Sequence, residues 1–264
     1  MGNAAGQNTT GADNTYVGFK SGFGASGAEA NNVGVGSNAL LAITTGGENV
    51  AIGYTALDAM TTGSNNIAIG FNSMGDANHA SCDNNVVIGG NAGDAFGANV
   101  IADTVIVGYG AGSAINNTGA TQTTALGAYA LAALTSGAGN TAVGYTAGTA
   151  LVEGNYNTVL GYQAFDAGQE DSKCVAIGYQ ALSAADVSDT GSAVDTLNTA
   201  VGYQAGDELT TAQRCTLIGA AAGGDVMITG GSVPSNADGT VAVGFLLSSP
   251  SQRVLGTWLS DTNH

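Results

Sequence analysis

Few residues of this chain could carry out acid–base or metal chemistry. The 264 residues include two histidines and three cysteines, His79, His264, Cys82, Cys174 and Cys215. His79 lies in the segment GDANHASCDN (75–84), which offers the imidazole, thiol and carboxylate groups that bind zinc. Their spacing matches no zinc pattern, and neither histidine accompanies a serine or cysteine nucleophile motif. We therefore expect His79 to be an exposed loop residue and the chain to bind no metal.

Carboxylates are plentiful, but no spacing pairs any two of them. Twenty Asp and Glu residues oppose four Lys and Arg, and the formal net charge is −16. Glycoside hydrolysis needs two carboxylates held at a fixed separation, and a phosphate backbone would be repelled by this surface. The GGxGxDx repeat of calcium-binding β-rolls is missing. We expect a non-enzymatic protein that needs no cofactor and does not bind nucleic acid.

The sequence contains no membrane-spanning segment. There is no apolar run of about 18 residues, and the first residues, MGNAAGQNTT, lack the basic and apolar regions of a secretory signal peptide. We expect no membrane insertion.

One short phrase recurs thirteen times along the chain: a β-branched residue, an apolar and mostly small one, then Val, Ile or Leu, then Gly. The marker glycines that end the phrase are Gly18, Gly36, Gly53, Gly70, Gly89, Gly108, Gly127, Gly144, Gly161, Gly178, Gly202, Gly219 and Gly244. Their spacing is 17 to 19 residues, except for two intervals of 24 and 25. Such a period predicts an all-β fold, a parallel β-solenoid of about 13 rungs with 17–25 residues per rung.

The repeat also sets the domain boundaries. We expect a lead-in over 1–13, one solenoid domain over 14–248, and a capping or junction segment over 249–264. A rung of 17 residues is expected to hold two short strands and two turns. The marker glycine should supply a backbone geometry or a close approach that a Cβ would forbid.

Both sides of the repeated strand are apolar. The first and third positions of the phrase share one face, and the middle position, mostly a small residue, lies on the other. Strands that are apolar on both faces are usually buried on both. We expect one face to line the coil and the other to pack against a second copy of the chain, with small residues such as Ala142 and Ala200 at the interface. Thr alternates with Val and Ile at the first position, as at buried positions, which argues against an ice-binding row of exposed threonines.

Two further rows accompany the strands. Asn precedes the phrase in eight copies, which suits a left-handed turn residue or a ladder of stacked amides. Cys174 and Cys215 occupy this position two rungs apart, at about 10 Å, and are expected to be buried free thiols. Phe or Tyr follows the marker glycine in nine copies, including Tyr179 and Tyr203. This aromatic row could be a structural ladder or a platform on which sugars stack.

The phrase NVAIGYTA (49–56) resembles the head repeat of trimeric autotransporter adhesins (YadA-like heads), and similar repeats form shafts of bacteriophage tail fibres. The resemblance covers about residues 14 to 248 and implies a left-handed parallel β-roll packed side by side in a homotrimer. The period here is longer than in the adhesin heads, and the sequence contains no heptad run typical of a coiled-coil stalk and no segment typical of a membrane anchor. We therefore expect a tail-fibre segment of a virion that attaches to a host-surface glycan or protein. The alternatives are the head of an extracellular adhesin or filament and the shaft of a polysaccharide-degrading tail spike.

Recognition is expected in the irregular parts, because regular rungs repeat the same chemistry. The two longest intervals carry insertions over 183–197 and 223–239, which are either tolerated decorations or receptor-binding loops. The candidate contacts are Asp186, Asp189, Asp195, Met227, Pro234, Tyr179 and Tyr203. Ser260 and Asp261 faintly resemble the junction before a self-cleaving tail-spike chaperone; the alternative is that this segment caps the last rung.

Overall fold

The protein is described by a computed structural model over residues 3–6, 11–24, 27, 29–78, 81–117, 119–185, 193–223, 239 and 241–243. The chain divides into two compact units, Met1–Gly139 and Asn140–His264. All regular structure in the described ranges is β-strand. Among these residues there is no helix with the length and apolar character needed to cross a membrane.

The first unit contains seven strands of three residues each, one from each copy of the phrase. They are β1 (Thr15–Val17), β2 (Val33–Val35), β3 (Val50–Ile52), β4 (Ile67–Ile69), β5 (Val86–Ile88), β6 (Val105–Val107) and β7 (Thr124–Leu126). Each strand pairs in parallel with the next, and equivalent positions lie opposite one another, as Val50 lies opposite Ile67. The chain therefore advances by one rung per repeat, about 4.8 Å.

The second unit repeats this arrangement and adds a small side sheet. Its phrase strands are β8 (Thr141–Val143), β9 (Thr158–Leu160), β11 (Val175–Ile177), β13 (Thr199–Val201), β14 (Thr216–Ile218) and β15 (Val241–Val243). The side sheet pairs β10 (Asp171–Ser172) with β12 (Val194–Asp195). The predicted parallel β-solenoid is confirmed. The prediction of two strands per rung is wrong, because apart from this side sheet the described rungs hold one strand each and turns complete the coil.

The marker glycines are required by the stacking of the rungs. In the twelve that the structure describes, φ lies between 127° and 144°, a region that essentially only glycine occupies. A Cβ on Gly53 would lie 2.1 Å from the carbonyl oxygen of Gly70 in the next rung. The predicted close approach is confirmed, while Gly244 lies outside the described residues.

The asparagine row forms a buried ladder, as one of the two interpretations predicted. The backbone N–H and side-chain Nδ2 of Asn49 both donate to Oδ1 of Asn32, at 3.0 and 3.1 Å. Nδ2 of Asn49 also donates to the Gly63 carbonyl at 2.8 Å. The left-handed residue is instead the one before the ladder, such as Asn65 with φ of 60°. The ladder asparagines therefore satisfy buried backbone groups rather than forming the turn.

The middle position of each strand lines the interior of the coil. Ala142 and Ala200 have no exposed surface, so the expectation that they lie at an interface between copies is wrong. Ala at the third position after the glycine, together with large side chains such as Leu57 and Ile43, fills the rest of the interior. The middle position is buried whether it is small or large, since Ile106 and Leu217 are as enclosed as Ala142. A lysine at Ala142 would disrupt the coil itself.

Asp58, Asp76 and Asp94 lie six or seven residues after the ends of β3, β4 and β5. Two of these carboxyl groups, those of Asp58 and Asp94, have a raised pKa. Partial burial raises the pKa of Asp58, and the Asp76 carboxylate raises it further. Burial is also the main cause of the raised pKa of Asp94, and Asp76 contributes there too. The folded state therefore binds protons to these groups more tightly than the unfolded chain does.

Stability should consequently fall as pH rises through the raised pKa values. A carboxyl whose pKa is higher in the folded state stabilises the fold fully only below its unfolded pKa of about 4. Asp94→Asn should raise the melting temperature at pH 7 by about 1–3 °C, and the gain should shrink towards pH 4. Thermal melts of wild type and variant between pH 4 and 7 measure this. Asp13→Asn, at an exposed carboxylate, controls for the loss of one charge, and an equal gain in both variants would contradict the assignment.

Candidate interaction surface

The first and third strand positions point away from the coil and form an exposed apolar surface, which we call the strand face. In the first unit Val17, Ile52 and Leu126 are about two-fifths exposed, and in the second unit Leu160 and Ile218 are similarly exposed. Valine, isoleucine and leucine are usually among the most buried side chains. The first and third positions of the phrase, which are always β-branched or aliphatic, are therefore on the outside of each coil.

The strand face carries no charge. None of the thirteen phrase strands has Asp, Glu, Lys or Arg at the first or third position, although the chain has 20 acidic residues. In the first unit, seven strands of three residues at about 4.8 Å spacing give a face of about 300 Å². The largest apolar patch on a typical monomer is about 300–600 Å² and is often functional. The strand face is therefore a candidate interaction surface.

Sequence reasoning assigned the two strand faces the wrong way round. The available signal was the middle position, which is Ala in seven of thirteen copies. Small residues were expected to allow another chain to approach closely, whereas they lie inside the coil, where they pack against larger buried side chains. Because the first strand position is exposed and not buried, burial no longer argues against an ice-binding row of threonines. No phrase strand has Thr at the third position, however, so Thr-x-Thr rows do not occur.

The aromatic row follows the strand face and forms a ladder. In the second unit Tyr145, Tyr162, Tyr179 and Tyr203 stack in sequence, with ring centroids 5.3, 5.5 and 5.1 Å apart and planes within 15° of parallel. In the first unit Tyr54 stacks on Phe71 at 5.8 Å. Because the inner rings face their neighbours, their faces are not open for a sugar to lie flat. The geometry favours the structural ladder.

A second ladder runs beside the tyrosines of the second unit. Nε2 of Gln180 donates to Oε1 of Gln163 at 3.1 Å, and Nε2 of Gln204 donates to Oε1 of Gln180 at 3.2 Å. The tyrosine side chains remain 41–56% exposed. Tyr179 and Tyr203 are thus adjacent on the surface, as the sequence order predicts, and their role as receptor contacts stays a prediction.

The candidate residues of the insertions are only partly described. Asp195 lies in β12, and its carboxylate forms an ion pair with Nζ of Lys173. Lys173 precedes β11, whereas Tyr179 follows that strand, so the structure does not bring Asp195 together with the tyrosines. Asp186, Asp189, Met227 and Pro234 lie outside the described residues, as do Ser260 and Asp261.

The other chemically capable residues form no site in the part of the chain that is described. Cys174 and Cys215 are buried and form no disulfide, as predicted, and the same holds for Cys82. Burial raises the pKa of Cys174 to about 11, and the thiol lies 2.8 Å from Oγ1 of Thr196. A thiol with such a pKa is a poor nucleophile at neutral pH. No group of three metal-ligating side chains occurs among the described residues, and His79 lies outside them.

The fold and its surface define a class of protein. The chain is a parallel β-solenoid repeat protein with buried asparagine ladders and an exposed, uncharged strand face. Comparison with protein-family models, with curated proteins and with solved structures finds no match to this chain.

Proposed function

We propose that this protein is a non-enzymatic segment of a trimeric fibre that attaches to a host surface. The observation that carries the proposal is the uncharged strand face on a chain with a net charge of −16. Like-charged copies repel one another over most of their surface, and a face without charge allows them to approach. Burial of that face would favour association, because apolar surface is removed from water. Packing around a closed symmetry axis would cover one such face on every copy.

The solenoid suits a load-bearing role. Ten of the described marker glycines lie against the rung that follows, and buried asparagine ladders connect rungs within each unit. Each rung is therefore held by its neighbours, as is typical of repeat proteins. Stacked rungs of this kind are a suitable scaffold for recognition loops, which are usually carried on rigid supports. The resemblance of the phrase to adhesin heads and tail-fibre shafts supports the same role.

Light scattering of the purified protein tests the trimer. We expect a mass three times the chain mass of 25.6 kDa. Leu160→Lys, on the strand face, should lower the mass to that of one chain without loss of β-structure, because three lysines would be brought together in an apolar interface. Wild-type protein that stays at 25.6 kDa at all concentrations would contradict the proposal.

The two settings of the fibre differ in their target. A tail fibre of a virion would bind bacterial cells or their surface glycans, whereas an adhesin head would bind animal cells or matrix proteins. We propose the tail fibre first and the adhesin head as the alternative. Binding of the fluorescently labelled protein to panels of bacteria, of animal cells and of immobilised glycans separates them. Binding to none of these targets would count against an attachment role.

A further inference from the structure

The two exposed rows of the strand face differ in composition. The third position is aliphatic in all thirteen copies, whereas the first position is Thr in six of them. The rows are otherwise alike, since they lie on the same strands and the same face. A requirement for strand formation alone would allow Thr as often in one row as in the other, because Thr, Val and Ile all favour strands. The third-position row is therefore under a stricter demand for apolar side chains.

The surroundings of the two rows differ in the same direction. The residue two before the first position is exposed in most copies and is charged in five of the thirteen, namely Asp13, Glu48, Asp103, Lys173 and Arg214. The third-position row is followed, after the marker glycine, by the exposed Phe and Tyr side chains of the aromatic row. The third-position row and the aromatic row together form what we call the aliphatic–aromatic strip. The row two before the first position, which we call the charged row after its five ionic members, is otherwise mostly polar and flanks the opposite side of the strand face.

Area supports the participation of both rows of the strip. The strand face of each unit amounts to about 300 Å², from strand length and rung spacing. Stable interfaces bury about 800 Å² on each partner. The strand face alone falls short of this value, and the adjoining aromatic row supplies the closest further apolar surface.

The repeat itself identifies the partner. A row with one side chain per rung is matched along its length only by a surface with the same spacing of about 4.8 Å. A second copy of this chain has that spacing, is equally free of charge on this face, and would align rung with rung. Apolar interface centres and polar rims are the usual arrangement in protein complexes.

On the basis of the proposed trimer, we propose that copies of this chain meet along the aliphatic–aromatic strip, with the third-position row at the centre. The first-position row lies at the rim, beside the charged row, where threonine is tolerated. Recognition of other molecules would then use the turns and insertions that face away from the strip.

Matched threonine substitutions on the same strands test this assignment. One variant combines Ile52→Thr with Ile177→Thr at the third position, and its control combines Val50→Thr with Val175→Thr at the first. Both keep β-branched residues, and all four side chains are on the strand face. We expect the third-position variant to raise the concentration for half-dissociation of the trimer roughly tenfold or more, and the control to change it by less than about threefold. Analytical ultracentrifugation measures this, with circular dichroism to verify the fold.

Cysteine cross-linking gives a readout that does not depend on stability. Under mild oxidation, Ile177→Cys should form covalent dimers between copies, and Val175→Cys should form few, since centrally placed thiols of different copies lie closest. Equal dissociation in both threonine variants, or stronger cross-linking through Val175→Cys, would show that the aliphatic–aromatic strip is not the contact between copies. If the wild type is still a trimer in that case, the proposed function stands. A monomeric wild type would overturn both.

Discussion

Gly89→Ala is expected to destabilise the protein by about 3 kcal/mol or more, and to prevent folding if the stability reserve is smaller than that. The φ of Gly89 is 143°, and a Cβ there would lie 2.3 Å from the carbonyl oxygen of Gly108. Relief of this contact would require the two rungs to separate, which would break the strand pairing on both sides. Chemical denaturation followed by circular dichroism measures the loss of stability.

The neighbouring residue provides a matched control. Gly90 does not have a positive φ, and the nearest atom to an added Cβ is a ring carbon of Tyr109 at 3.4 Å, an ordinary contact. Gly90→Ala should therefore change stability by less than about 1 kcal/mol, in either direction. Similar losses from the two substitutions would mean that the marker glycine is not required by the stacking of the rungs.

Asn66→Ala is expected to cost about 3 kcal/mol, because it leaves several buried polar groups without their partner. Oδ1 of Asn66 accepts hydrogen bonds from the backbone N–H and Nδ2 of Asn85, both at 3.0 Å. Its Nδ2 donates to the Cys82 carbonyl at 2.7 Å. Nδ2 also donates to Oδ1 of Asn49 in the preceding rung at 3.1 Å, so the side chain links its own rung to the rungs before and after it. Thermal or urea unfolding should detect its removal.

Threonine at the same position is the informative comparison. The chain already places Thr104 in the ladder, where its backbone N–H and Oγ1 both donate to Oδ1 of Asn85. Asn66→Thr should keep the bond to the preceding rung and lose roughly half of the stability that alanine loses. If alanine proves no worse than threonine, the ladder contributes little and the apolar interior alone holds the rungs together.

The positions of the rungs could be predicted from the sequence, because each rung repeats the same local requirements. The marker glycines were predictable from their spacing, since only a position with a forbidden Cβ repeats glycine without exception in thirteen copies. Burial of Cys174 and Cys215 followed from their place in the asparagine row. The positions of the left-handed turn residues could not be predicted as well from the sequence. The left-handed residue precedes Asn66 rather than coinciding with it, because the ladder uses the asparagine side chain for bonds to other rungs.

The sequence by itself determined the strand, its period and its apolar character on both faces. Only the tertiary structure decided which face is enclosed. Periodicity of two separates the residues at positions such as Val175 and Ile177 from Ala176, but it does not say which set points inward. The path of the turns decides this, because they close each rung over the middle position, where Ala51, Ile106 and Leu217 are all buried. The first and third side chains are thereby placed outside, where the uncharged face that carries the proposed assembly is formed.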